Sequence, residues 1–266
     1  MSAPLNGKVA VVTGASRGIG RAVAVRLAAL GCDVVVSGLT DERAEGTAEQ
    51  VRLLGRKALV CLGDVSDPAH AKGLISVAEE ELGRVDILVN SAGVARMVPF
   101  LELSAETLTR FLEVHLCATV YCAQEAARAM IRRGEGGRII NLSSIAASMG
   151  MYGTAAYAAA KGGVSAVTRV MAVELAGYGI TVNAVAPGPV ATEQLRAVYD
   201  EAMCRERSRS IPLARLAEPE EVAAVVAFLA SPESAYLTGQ VITLDGGASA
   251  VGCYSYETYK RHAPAG

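Results

Sequence analysis

Seven short runs dense in valine, isoleucine and leucine recur along the chain, at 8–13, 33–37, 57–62, 85–90, 138–142, 180–185 and 240–244. None alternates cleanly between apolar and polar residues, the pattern expected of parallel strands buried on both faces. The segments between them, rich in Ala, Leu, Glu and Arg, predict helices near 18–30, 41–54, 67–82, 104–132, 152–177 and 219–230. Such alternation requires right-handed crossovers and hence a doubly wound α/β fold, a parallel sheet of about seven strands. With no linker, repeat or low-complexity tract, the 266 residues are read as a single domain, 1–266. Two segments break the rhythm. Residues 191–215 form a charged, Arg/Glu-rich insertion after the sixth run. Ligands of doubly wound sheets bind outside the carboxyl ends of the strands, so this insertion is expected to be a lid. The tail 250–266 carries Tyr254, Tyr256 and Tyr259, more apolar area than a frayed terminus normally holds.

Composition narrows the functions. A hydrophobic content of 52% with three Phe and no Trp predicts an aliphatic, closely packed core. A formal net charge of −2 offers no basic field to nucleic acid or anionic lipid, so neither is expected as a partner. Six cysteines, at 32, 61, 117, 122, 204 and 253, show no C-x-x-C spacing and read as free thiols in a reducing compartment. Three histidines leave little from which to build a zinc cage, and no metal site is expected. The first residues show no basic stretch followed by an apolar block. The longest apolar stretches are interrupted, by Asn90 and Arg96 or by Lys161, Arg169 and Glu174, short of the roughly 20 residues a spanning helix needs. The expectation is a soluble, cytoplasmic protein.

The first strand runs directly into Thr13-Gly14-Ala15-Ser16-Arg17-Gly18-Ile19-Gly20, and a helix follows. A turn of this kind needs glycine for backbone angles that a side chain forbids and for close approach of a diphosphate to the main chain. The helix N-terminus adds free N–H groups and partial positive charge. Three residues separate the first two glycines and one separates the next two, unlike the general G-x-G-x-x-G fingerprint.

That spacing, T-G-x-x-x-G-x-G, resembles the short-chain dehydrogenase/reductase family, and further family motifs follow in order. They are Asp64-Val65, Asn90-Ser91-Ala92-Gly93, Tyr157-x-x-x-Lys161, Pro187-Gly188-Pro189-Val190-Ala191-Thr192 and Leu244-Asp245-Gly246-Gly247. The chain looks most like the 3-oxoacyl-carrier-protein reductase branch. The resemblance implies a Rossmann-like fold and hydride transfer between NADP(H) or NAD(H) and a ketone/secondary alcohol pair. It also implies a coenzyme site of Thr13, Gly14, Ser16, Arg17, Gly18, Ile19, Gly20, Gly38, Asp64, Val65, Asn90, Ala92, Gly93, Tyr157, Lys161, Pro187, Gly188, Val190 and Thr192. In that site Pro187, Gly188, Val190 and Thr192 would hold the nicotinamide carboxamide.

The choice of coenzyme turns on the end of the second strand, where a carboxylate selects the ribose 2′-OH of NAD and a basic residue accommodates a 2′-phosphate. This chain reads Ser37-Gly38-Leu39-Thr40, with Gly38 where NAD-preferring relatives look acidic. Arg17 resembles the basic residue of NADP-preferring relatives, and Ser37 and Thr40 could add hydrogen bonds. Leu39 stands where many such relatives place a second Arg, and Asp41 and Glu42 follow. Arg17 can also be read as a solvated loop charge. NADP is favoured, with NAD as the alternative.

Tyr157 and Lys161 are four apart on one helix face. A phenol with a pKa near 10 is a poor base at neutral pH, and a nearby ammonium together with a positive nicotinamide ring would favour the phenolate. Tyr157 would then exchange the alcohol proton, and by resemblance Lys161 would bond the nicotinamide ribose. Ser144, thirteen residues before Tyr157, matches the family's substrate-orienting serine, with Ser143 as the competing choice. Where relatives carry an Asn that holds a water linked to the lysine, this chain has His115. His115 either takes over that relay, with a pH dependence from imidazole titration, or is a core histidine on a stripe with Leu108, Leu112, Thr119 and Cys122.

Two rivals remain at this stage: the same fold with non-redox tyrosine chemistry, as in an isomerase, dehydratase or dehalogenase, and a non-catalytic nucleotide sensor. Met97, Ile145, Met149, Tyr152, Leu195 and Met203 are candidates to line an apolar pocket for a medium-sized ketone or secondary alcohol. Arg132 and Arg133 form a candidate basic patch for a carrier protein, or a solvated helix end. The segments 104–132 and 152–177 resemble the family's dimer-forming helices, implying a homotetramer, with a dimer as the alternative.

Overall fold

The computed structural model describes residues 3–39, 41–198 and 200–251; Thr40 and the tail tyrosines Tyr254, Tyr256 and Tyr259 lie outside these, as does the side chain of Asp41. The strands are β1 (Val9–Val12), β2 (Asp33–Gly38), β3 (Ala58–Leu62), β4 (Ile87–Asn90), β5 (Gly137–Leu142), β6 (Ile180–Pro187) and β7 (Val241–Leu244). The helices are α1 (Gly18–Ala29), α2 (Asp41–Leu53), α3 (Pro68–Leu82), α4 (Ala105–Leu112), α5 (Ala118–Arg133), α6 (Ala155–Leu175), α7 (Glu193–Arg196), α8 (Glu201–Ser210) and α9 (Pro219–Ala230). All seven strands pair in parallel in the order β3-β2-β1-β4-β5-β6-β7.

The unbroken apolar runs have a direct cause. In β1, Ala10 and Val12 pack toward α1, α2 and α9, while Val9 and Val11 pack toward α3, α5 and α6. β1 to β6 each feed both cores and are therefore largely apolar on both faces, whereas β7 contributes only Ile242 and Leu244, to the first of them. Local signals place the helix ends. Asp67 caps α3 by accepting from the Ala69 N–H at 2.9 Å, Pro68 opens it, and Gly83 closes it in the left-handed conformation at φ 80°.

One expectation fails. The helix expected over 104–132 is interrupted by a π-helical turn, Glu113–Cys117, between α4 and α5. The extra residue in that turn leaves an apolar pattern nearly unchanged, so periodicity does not reveal it; such turns recur at functional sites. The 191–215 insertion contains α7 and α8.

The chain winds outward from β1 to β3, then returns to place β4 on the other side of β1. That reversal opens a crevice at the carboxyl ends of β1 and β4. The opposite end is tied by Asp86, which accepts from Arg84 at 2.7 Å and from Lys8 at 3.2 Å and pairs with Arg133.

Candidate active site

A cavity of about 480 Å³ lies at the carboxyl ends of the strands, and every expected coenzyme or catalytic residue lines it except Thr13 and Asn90. Those two lie beneath the wall. The Thr13 hydroxyl accepts from the Ser91 and Ala92 N–H groups at 3.0 and 3.1 Å, tying the loop after β1 to the loop after β4. The Asn90 amide donates to Asn141 Oδ1 at 2.9 Å, and Asn141 donates to Thr168 on α6 at 2.9 Å. This buried chain locks β4, β5 and α6 together directly under the cavity. Asn141 and Thr168 carry no motif that would have singled them out.

The glycine turn is as tight as its composition demands. A Cβ on Gly20 would sit 2.2 Å from the Gly14 carbonyl oxygen, and one on Gly14 would sit 2.7 Å from Ala92 Cα. Gly14 and Gly18 are left-handed at φ 63° and 52°. Arg17, at the N-cap of α1, places no side-chain acceptor over the helix end. The first-turn N–H groups are therefore open to an anion, which suits a dinucleotide's diphosphate.

At the end of β2, Arg17, Ser37, Gly38 and Arg43 share the cavity wall. The Ser37 hydroxyl is buried without a hydrogen-bond partner, an acceptor and donor held ready for a ligand. Sequence reasoning missed Arg43. Its signal was a basic residue in the first turn of α2, against the helix dipole. Asp64 lines the wall with its carboxylate engaged by Arg110 at 2.7 Å and Ser66 at 2.7 Å. Burial alone would raise its pKa, but these bonds outweigh it and hold the carboxyl down to about 2.

The catalytic candidates converge from three elements. Ser144 follows β5, while Tyr157 and Lys161 project from successive turns of α6. The Ser143 hydroxyl is occupied with α6, 2.7 Å from Ser165 Oγ and 3.2 Å from the Lys161 carbonyl. Ser144 accepts from the Ala146 N–H at 3.2 Å. Lys161 Nζ donates to the Leu142 carbonyl at 2.5 Å and lies 5.7 Å from the Tyr157 ring centroid. Burial dominates the titration of both groups. It raises the Tyr157 phenol, opposed by a Ser144 hydrogen bond, and lowers the Lys161 amine to about 7. Burial thus opposes the phenolate that Lys161 would favour, because the desolvation that raises the phenol also weakens the cation beside it.

His115 lies at the centre of the π turn, 3% exposed, with its ring edge-on to Tyr157 at 5.2 Å. Its Nε2 is 3.2 Å from the Val94 amide nitrogen and 2.9 Å from the Val94 carbonyl oxygen. One ring nitrogen is donor or acceptor in a given tautomer, so it serves only one of these groups. Nδ1 is buried with no partner. A Cβ on Gly93 would lie 2.5 Å from His115 Cε1, so the ring and the Asn90–Gly93 motif need each other's shape. Burial first, then the Lys161 charge, push the imidazole down to about 3 against the Val94 hydrogen bond. The pH dependence expected from imidazole titration near neutrality is thus corrected, since a ring this desolvated stays neutral.

Among the apolar candidates, Met97, Ile145 and Leu195 line the cavity, whereas Met149, Tyr152 and Met203 do not. Tyr152 is 79% exposed, because the bend before α6 turns it outward; Met151 takes the inward place. Gln194, Leu195, Val198 and Arg207 bring the 191–215 insertion onto the wall.

Residues 14–249 match the protein family described as Enoyl-(Acyl carrier protein) reductase. The chain is 39% identical over 243 residues to the 3-oxoacyl-[acyl-carrier-protein] reductase FabG of Vibrio cholerae, covering 91% of this chain and 98% of that one. The chain belongs to the short-chain dehydrogenase/reductase family. Among solved members of the family, a putative short-chain alcohol dehydrogenase from Sinorhizobium meliloti 1021 superposes with a TM-score of 0.90 at 36% identity, covering 95% of this chain and 100% of that one. A 7α-hydroxysteroid dehydrogenase solved with NADH and a 7-oxo bile acid superposes at 0.89 with 32% identity, covering 92% and 96%. As a member of the family the chain is an NAD(P)-dependent oxidoreductase of the alcohol/carbonyl class. No helix among the described residues is long and apolar enough to cross a membrane.

Proposed function

We propose that this protein interconverts a ketone and a secondary alcohol on a small molecule, with NADPH favoured over NADH and Tyr157 exchanging the proton. The observation that carries this reading is the meeting of Ser144, Tyr157 and Lys161 in one cavity with the glycine turn of β1. A bound nicotinamide coenzyme supplies or accepts the hydride. The Gly14–Gly20 turn and the α1 N-terminus hold its diphosphate, Asp64 and Val65 flank its adenine side, and Lys161 bonds its nicotinamide ribose. Ala92, Gly93, Pro187, Gly188, Val190 and Thr192 face its nicotinamide end. Arg17, Arg43 and the Ser37 hydroxyl surround the place of a 2′-phosphate, and Gly38 brings no carboxylate to repel it.

Ser144 donates to the substrate oxygen and steadies charge that develops on it. Tyr157 gives its proton to that oxygen in reduction and recovers it in oxidation. Burial keeps the phenol protonated, which suits the reductive direction. Oxidation needs the phenolate, and so needs additional positive charge beside Lys161. His115 fills the place of the family's relay asparagine as a neutral group that braces Val94. The segment 191–215 acts as a lid over the substrate side.

The described cysteines are free thiols, in keeping with a reducing cytoplasm. Apolar side chains exposed on α6, Val170 and Val173, and near α9, Phe228 and Tyr236, form separate patches suited to the two interfaces of a homotetramer. Light scattering reads that assembly directly.

The test of the central reading is Tyr157→Phe, assayed with both coenzymes across a panel of ketones by absorbance of the reduced nicotinamide. Turnover should fall roughly 10²- to 10⁴-fold with coenzyme binding retained; undiminished turnover would overturn the assignment.

A further inference from the structure

Phe111, at the end of α4, is the one buried residue of that helix, 4% exposed. It lies behind the cavity wall, which Arg110 and Val114 reach and Phe111 does not. Its ring stands 6.4 Å from the Tyr157 ring and almost perpendicular to it, at 88°. Edge-to-face pairs attract at centroid separations of about 4.5–7 Å, because the positive edge of one ring meets the negative face of the other. The His115 ring completes a triangle, 5.7 Å from Phe111 and 5.2 Å from Tyr157. His115 is committed to Val94 through Nε2. Phe111 carries no polar side-chain atom, so what it can do for the reaction is hold Tyr157.

The segment that carries Phe111 is pinned on three sides. Arg110 donates to Asp64 Oδ2 at 2.7 Å and to Ser66 Oγ at 2.9 Å, which fixes α4 to the loop after β3. His115 fills the space over Gly93, where an added Cβ would lie 2.5 Å from Cε1. Leu116 does the same on α6, where a Cβ on Gly163 would lie 2.8 Å from Leu116 Cδ2. The π turn is therefore seated on α6 just beyond Tyr157 and Lys161, and Phe111 meets the tyrosine ring from a fixed base. The phenol oxygen sits at the far end of a long side chain, so a small swing about the first torsion displaces it appreciably. A displacement of about 1 Å at a reacting group costs on the order of 10²-fold in rate.

We propose that Phe111 is a positioning residue: its ring limits the swing of the Tyr157 side chain and keeps the phenol hydroxyl within reach of the substrate oxygen beside Ser144. This inference rests on the reading of Tyr157 as the group that exchanges the proton. Because Phe111 lies behind the cavity wall, its removal leaves ground-state binding alone and weakens an interaction needed only as the proton moves. Such a loss appears in kcat and in kcat/KM equally, with KM unchanged.

The test is a double-mutant cycle of Phe111→Met against Tyr157→Phe in the full chain. Methionine keeps an apolar, adaptable side chain at 111 while removing the flat ring. The readout is single-turnover oxidation of bound NADPH or NADH by the ketone that the wild-type protein reduces fastest. Phe111→Met alone should slow this step roughly tenfold or more, with the Kd of the coenzyme and the KM of the ketone unchanged. In the Tyr157→Phe background the same replacement should alter the rate by less than about twofold, because no hydroxyl is left to position. An unaltered rate in Phe111→Met, equal slowing in both backgrounds, or a loss carried by KM overturns the positioning role and leaves the reading of Tyr157 standing. Undiminished turnover in Tyr157→Phe removes both readings together. Where Phe111→Met fails to bind coenzyme, Phe111→Leu is taken through the same cycle and judged by the same outcomes.

Discussion

Replacing Lys161 by Met should change how the stability of the coenzyme-free protein depends on pH. An ordinary lysine titrates near 10.5, and burial brings Lys161 down to about 7. Between those values the unfolded chain holds a proton that the folded chain has released. Stability therefore rises with pH, by up to about 1.4 kcal/mol per pH unit from this one group. The penalty of the buried ammonium is fully present below pH 7 and disappears as pH approaches 10.5. Between pH 7 and 9, allowing for half-protonation at the start, the wild-type protein should gain about 2 kcal/mol that Lys161→Met does not. Groups common to both proteins, such as Cys32 and Cys122, whose thiols burial pushes up to about 12, cancel in the difference. At pH 7 the variant should be the more stable protein although inactive. Removing the buried charge is worth about 4 kcal/mol, against about 1–3 kcal/mol for leaving the Leu142 carbonyl without its donor. Urea unfolding at pH 7, 8 and 9 measures this, at one protein concentration because assembly shifts the midpoint. Parallel pH profiles for the two proteins would refute the reasoning.

Other expectations follow from the same geometry. Arg17→Glu with Arg43→Glu should raise KM for NADPH at least tenfold relative to NADH, and steady-state kinetics with both coenzymes would show an unchanged ratio if the end of β2 does not read the phosphate. Gly93→Ala should cost about 1–3 kcal/mol because its Cβ meets the pinned His115 ring; in the His115→Ala background the cost should shrink, and strict additivity in thermal melts would contradict the contact. His115→Asn supplies a separate donor and acceptor to Val94, so kcat and melting temperature should hold, whereas His115→Ala should lower kcat. The wild-type rate should show no imidazole inflection between pH 5 and 9, in keeping with a ring held at about 3, and an inflection that disappears in His115→Asn would oppose the neutral-ring assignment.

The fold was legible because its cause is local and repeated. Strands buried on both faces must be apolar throughout, and crossovers need helices, so runs such as Val9–Val12 announce a parallel sheet without reference to distant residues. The glycine turn was legible for a similar reason: Gly14 and Gly20 admit no Cβ, and a short segment records that requirement in full. Tyr157, Lys161 and Ser144 stood out through their spacing, which a helix turn and a strand end convert into proximity.

Tertiary structure decided the rest. The π turn around His115 barely alters an apolar pattern, so the helix over 104–132 read as continuous. The hydrogen-bond chain from Asn90 through Asn141 to Thr168 joins residues 51 and 27 positions apart, and no local pattern records such separations. Arg207 and Met151, 56 positions apart, meet only because α8 folds back beside the segment that leads into α6. The titration of Tyr157 and Lys161 depends on how much water the packed fold excludes around them, and spacing in the chain carries no measure of burial.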